Sequence, residues 1–101
     1  GEDPYTTLFR SGMVHGGLTA TLLDSVMGGA VHTTLPVGVG YTTLGITVHY
    51  TRAAPIDGQR LIGTGIVVHA GRRTATADGR IVDENGKLIA HGTATCLILR
   101  S

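Results

Sequence analysis

His15-Gly16-Gly17-Leu18-Thr19-Ala20-Thr21-Leu22-Leu23-Asp24-Ser25-Val26-Met27-Gly28-Gly29-Ala30-Val31-His32-Thr33-Thr34 is the stretch that decides the fold of this chain. From Gly17 to Thr34 it carries Leu18, Leu22, Leu23, Val26, Met27 and Val31 with no internal proline, so it predicts a helix. Leu35-Pro36 ends that helix, because a residue before proline is pushed out of the helical region. Apolar and small residues run all the way round, the pattern of a helix wrapped by protein rather than laid on a surface. The span is close to the length that crosses a bilayer. Asp24, two internal glycines and four threonines argue against that reading.

Asp24 is the only ionisable side chain between His15 and His32. An unpaired carboxylate on a buried helix would be costly, so Asp24 is expected to have either a cationic partner or a chemical role. Ahead of it, Gly16 and Gly17 put bare backbone N–H groups at the helix start, where the helix dipole favours negative charge. A backbone donor and a lone acid on one helix suggest acyl-group chemistry. Gly16 and Asp24 are eight residues apart, which is roughly 12 Å along a helix axis. A donor and an attacking group must each come within about 3 Å of one carbonyl. One chain cannot place both there. An antiparallel second copy, related by a two-fold axis, would bring Gly16 of one subunit opposite Asp24 of the other. Ala20 and Gly28, one turn either side of Asp24, leave space along that face.

At 101 residues the chain, read as one domain over residues 1–101, has room for one core. Hydrophobic residues make up 42% with no tryptophan and 16 glycines, so the core is expected to be Val, Ile, Leu and Ala around closely packed backbone. A net charge of +1 gives no general field for nucleic acid, and neither a nucleic-acid nor a membrane partner is expected. The single cysteine, Cys96, cannot form an intrachain disulfide and fits a cytoplasmic protein. It falls in the alternating run Ala90, Gly92, Ala94, Cys96, Ile98 and is read as a small core residue. His32, His49, His69 and His91 lack tight ligand spacing, so no metal and no cofactor are expected. The chain begins at Gly1 rather than Met and shows no leader, which suggests a trimmed or partial sequence.

After the helix and an uncharged loop at 36–40, the period changes to two. Residues 42–51 place Leu44, Ile46, Val48 and Tyr50 on one face; 53–58 breaks the run, and further strands follow at 60–69, 73–83 and 87–99. Asp83-Glu84-Asn85-Gly86 predicts a hairpin with a type I′ turn. Gly63 and Gly65 within a strand mark bending or a close approach. One helix followed by four antiparallel strands is an α+β order, with the sheet curled about the helix.

The ordered set His15-Gly16-Gly17, Asp24, Thr42 through Arg52, Gly71-Arg72-Arg73 and Asn85 through Thr93 resembles the hotdog-fold acyl-CoA thioesterases of the phenylacetate-degradation type. The resemblance covers residues 12–99. It implies a long central helix wrapped by a curved antiparallel sheet, a homodimer with one continuous sheet, and frequently a dimer of dimers. It also implies hydrolysis of an acyl-CoA to an acid and coenzyme A. The residue matching Gly16 would donate its N–H to the thioester carbonyl, His15 would support it, and Asp24 would come from the opposite subunit as base or nucleophile. A hydroxyl orienting water would be Thr43, or Thr42 if the loop differs by one residue. Gly17 and Thr42 would contact substrate, and Gly71, Arg72 and Arg73 would meet coenzyme A phosphates, which suit arginine. The family commonly has an amide side chain six positions before the motif histidine; this chain has Phe9, and its only asparagine is Asn85. A non-catalytic acyl-CoA-binding or regulatory domain is the alternative, and a hydratase acting on acyl thioesters is a third reading.

Overall fold

The computed structural model describes residues 4–10, 16–51 and 60–100. Its elements are β1 (Tyr5–Arg10), α1 (Gly16–His32), β2 (Gly40–Tyr50), β3 (Arg60–Ala70), β4 (Thr74–Asp83) and β5 (Leu88–Leu99). The five strands form one antiparallel sheet in the order β1-β3-β4-β5-β2, and α1 lies across one face. The α+β hotdog expectation holds. The sequence reading has no strand before the helix, and β1 is an addition: it pairs with β3 from Tyr5 opposite Gly65 to Arg10 opposite Arg60.

The helix buries Leu23, Val26, Met27, Ala30 and Val31, a spacing that puts one stripe on the sheet. Thr21, Asp24, Ser25 and His32 are exposed, so within one chain α1 is not wrapped all round. Ala and Gly are neutral enough to sit on either side of a helix, and their presence hid the stripe. The C-terminus is closed by the hydroxyls of Thr33 and Thr34, which donate to the carbonyls of Ala30 and Val31 at 2.7 Å each. Pro36 then has no N–H to continue.

Opposite the helix stand Leu61, Ala75, Ala77, Ile81, Ile89, Ala90, Ala94, Cys96 and Ile98, all buried. The small side chains let the helix backbone approach the sheet. A Cβ on Gly65 would overlap the carbonyl of Val26, so this glycine is where α1 sits directly on β3. Between β4 and β5 the turn is not type I′, which would need a positive φ at both central residues. Only Gly86 has one, at 81°. The carboxylate of Asp83 accepts from the N–H groups of Asn85 and Lys87 at 2.9 Å each, holding Asn85 in an ordinary negative-φ turn and leaving Gly86 to take the left-handed position.

Candidate active site

Tyr41 and Thr43 lie opposite Ile98 and Cys96 of β5, whose side chains are buried beneath the helix, so both β2 residues face α1. The Thr43 hydroxyl donates to Asp24 Oδ1 at 3.2 Å. One turn further along the helix, Gly28 makes room for Tyr41: a Cβ there would overlap the phenol oxygen. Tyr5 of β1 occupies the space beside Gly29 in the same way. Two strand residues and four helix residues advance by similar distances, about 6–7 Å. The pairs Thr43–Asp24 and Tyr41–Gly28 therefore run side by side, with β2 antiparallel to α1.

A bulge decides which threonine reaches the acid. The register runs Thr43 opposite Cys96 and then Gly45 opposite Thr95, so Leu44 is an extra residue. Leu44 turns outward and is exposed, contrary to its expected place beside Ile46, Val48 and Tyr50. Without the bulge, alternation counted back from Tyr50 would point Thr42 at the helix. Instead Thr42 is exposed opposite Leu97, on the sheet's other face.

Asp24 is exposed to solvent, and among the described residues it has no Lys or Arg partner; Thr43 is its hydrogen-bond donor. Burial raises the pKa of the Cys96 thiol, the Thr43 hydroxyl draws it partly back, and the charge of Asp24 raises it again. A fully buried thiol pushed upward is a core group, as its place in the alternation predicts. Tyr41 is likewise held above the ordinary phenol range, by burial first and then by Cys96, Asp24 and Tyr5. It faces α1 as a neutral phenol. Tyr41 is not among the residues singled out from the sequence; its signal there is the two-residue offset from Thr43, which puts both on one face of a strand.

Gly16 opens α1, and Gly17 follows it in the first turn. His15 and Arg52 lie outside the described residues. Gly71, Arg72 and Arg73 form the β3–β4 turn, with both guanidinium groups exposed and the Gly71 N–H donating to Thr74 O at 2.8 Å. Arg100, which the sequence reading did not single out, donates from Nε to the Arg72 carbonyl at 2.9 Å and brings a third guanidinium to that corner. Thr43, Cys96 and Ala75 are cross-strand neighbours, so Ala75, beside this turn, lies two strand spacings, about 10 Å, from the Thr43–Asp24 pair. The structure thus brings Asp24 and Thr43 together. It leaves Gly16 a helix half-length away and the arginines at the sheet's end.

A long helix lying in a five-stranded antiparallel sheet defines the hotdog class. The sequence pattern of the Thioesterase superfamily matches residues 11–90, and the chain belongs to that superfamily. A Halobacterium salinarum protein provisionally named an esterase is 38% identical over 73 residues, 70% of this chain and 46% of its own length. The chain thus spans about half of that relative. A Bacillus halodurans protein solved with CoA superposes with a TM-score of 0.86 at 30% identity, over 94% of this chain and 67% of the other. A phenylacetic acid degradation-related protein of Ralstonia eutropha gives 0.86 at 27% identity, over 93% and 75%. Among the described residues, no helix is long and apolar enough to cross a membrane.

Proposed function

We propose that the chain hydrolyses an acyl-CoA thioester to a free acid and coenzyme A, acting as one hotdog domain over residues 1–101 in a cytoplasmic homodimer or dimer of dimers. The observation that carries this is the Thr43 hydroxyl bound to an exposed Asp24 carboxylate on a helix that opens with Gly16. Thr43 and Asp24 together hold a water. Asp24 takes its proton as the water oxygen attacks the carbonyl carbon, the C–S bond breaks, and the proton passes to the departing thiolate. Alternatively Asp24 attacks directly and water cleaves the resulting anhydride. The Gly16 amide of the second subunit, supported by His15, receives the negative charge that develops on the carbonyl oxygen, a donor worth about 2.7–4 kcal/mol in other hydrolases. Gly17 flanks the substrate, while Gly71, Arg72 and Arg73 meet the phosphates; Thr42, on the far face of the sheet, takes no part. The Bacillus halodurans relative's CoA supports this choice of substrate.

Release of free thiol from a panel of aryl, short and long acyl-CoAs tests the reading. Asp24→Ala should lower turnover about 10²–10⁴-fold. Its melting should barely move, because substitutions at exposed sites stay within about 0.5 kcal/mol. Undiminished hydrolysis by Asp24→Ala sinks the assignment. Tight acyl-CoA binding with no turnover of any substrate would instead establish the binding-domain reading, which Phe9 in place of an amide favours.

A further inference from the structure

We propose that Tyr41 sets the length of acyl group this site accepts, by standing with its phenol in the notch of Gly28 and closing the seam between α1 and β2 one helix turn beyond Asp24. The inference rests on the hydrolase reading for the position of the carbonyl, and on this chain's own packing for everything else.

A thioester carbonyl held at Asp24 and Thr43 has two arms. The coenzyme A arm is large and charged and must leave toward solvent. The acyl arm needs an apolar, concave path. The α1–β2 seam is such a path: beneath it lie Cys96 and Ile98, both buried, and beside it the helix backbone is bare at Gly28. That notch is already filled. The Tyr41 hydroxyl sits where a Cβ of residue 28 would be, the Tyr41 ring packs on the core, and His32 lies beyond it with ring centroids 6.3 Å apart. From Asp24 to Gly28 the free run is about 6 Å, the reach of a short acyl chain. Because the phenol stays neutral, it acts as a wall rather than as a charge. Removing the ring would open an apolar hollow between Gly28, His32, Cys96 and Ile98 into which a longer chain could extend.

The test compares butyryl-CoA with octanoyl-CoA. Hydrolysis is followed by thiol release, and binding by calorimetry in an Asp24→Asn background. The wild type should favour butyryl-CoA by about tenfold or more, since each methylene in a pocket is worth about 10–200-fold. Tyr41→Ala should raise the octanoyl-to-butyryl ratio of kcat/KM by at least about tenfold, and Tyr41→Phe, which keeps the ring, should not. Tyr41→Val, suited to a strand, serves as a second opening variant should alanine compromise folding. A wild type that takes octanoyl-CoA as readily as butyryl-CoA overturns the proposal. So does a folded opening variant whose length preference is unchanged, even though hydrolysis itself would then stand. If no acyl-CoA is hydrolysed but binding is still gated by Tyr41, the hydrolase reading fails and the length gate survives. If no acyl-CoA binds, both fall.

Discussion

The two halves of β2, on either side of Leu44, face the same helix under opposite conditions. In the first half Tyr41 and Thr43 are half-buried, and each meets a residue of α1, Gly28 and Asp24. In the second half Ile46 and Tyr50 point to the same inner face, opposite the buried Ala94 and Ala90, yet remain 40% and 51% exposed. The antiparallel run of strand and helix accounts for this: passing along β2 leads toward the N-terminus of α1, where the helix ends at Gly16. Val48, between Ile46 and Tyr50, packs against the core, so a single chain completes the first half of the seam and leaves the second open at those two residues. β2 is also an edge of the sheet, with a row of backbone groups available for pairing. The open half is where the proposed second copy, and with it the second Gly16, would enter.

Placing a charge in the open half should break this contrast most severely. Ile46→Asp adds a carboxylate to an inner-face position that one chain leaves exposed, so the monomer fold should persist. In the two-copy reading it should dissociate the assembly and lower turnover about 10²–10³-fold, the effect of losing one oxyanion donor. Sedimentation and thiol release measured on the same samples decide this. A monomer with wild-type turnover would show that the open half has no part in the site.

Within the closed half the contrast sharpens to adjacent residues. Thr43→Val removes the hydroxyl that bonds a charged partner and should cost about 10–100-fold in kcat. Thr42→Val, on the far face, should change kcat by less than about twofold. Reversed effects would mean that β2 adopts the unbulged register when substrate binds. The sequence left Thr42 and Thr43 open for a physical reason. A bulge arises from how two strands pair, and the pairing partner, Cys96 to Thr95, lies about fifty residues away along the chain. Only Gly45, with no side chain to pack, hinted at it.

Much else was legible because it depends on local chemistry. The helix span, its stop before Pro36, the four later strands and the small inner face of β5 follow from periodicity and from proline and glycine. β1 was missed because Tyr5-Thr6-Thr7-Leu8 has strand-forming residues but too short a run to show alternation. Asp24 was expected inside a wrapped helix, and the structure exposes it, because Leu23, Val26, Met27, Ala30 and Val31 claim the sheet. In the proposed two-copy assembly the group that meets Asp24 belongs to the second copy, and contacts between copies leave no periodicity in a sequence.

The smallest effect concerns pH and isolates the closed half. Tyr41 and Cys96 both face α1 there, and both have pKa values raised chiefly by burial, with the charge of Asp24 adding to each. A group raised in the native state contributes stability that is complete below its unfolded pKa and is lost as pH climbs through the folded value. Above about pH 9 the unfolded chain, with ordinary thiol and phenol groups, binds fewer protons than the native one, so stability must fall with rising pH. The melting temperature should therefore begin to drop there, by no more than about 5 °C over the next pH unit or so. Tyr41→Phe and Cys96→Ala should each flatten the drop, and Asp24→Asn should flatten it slightly by removing the shared charge. Should the Tyr41→Phe, Cys96→Ala double variant decline as steeply as the wild type, the alkaline sensitivity would belong to groups outside this half of the seam.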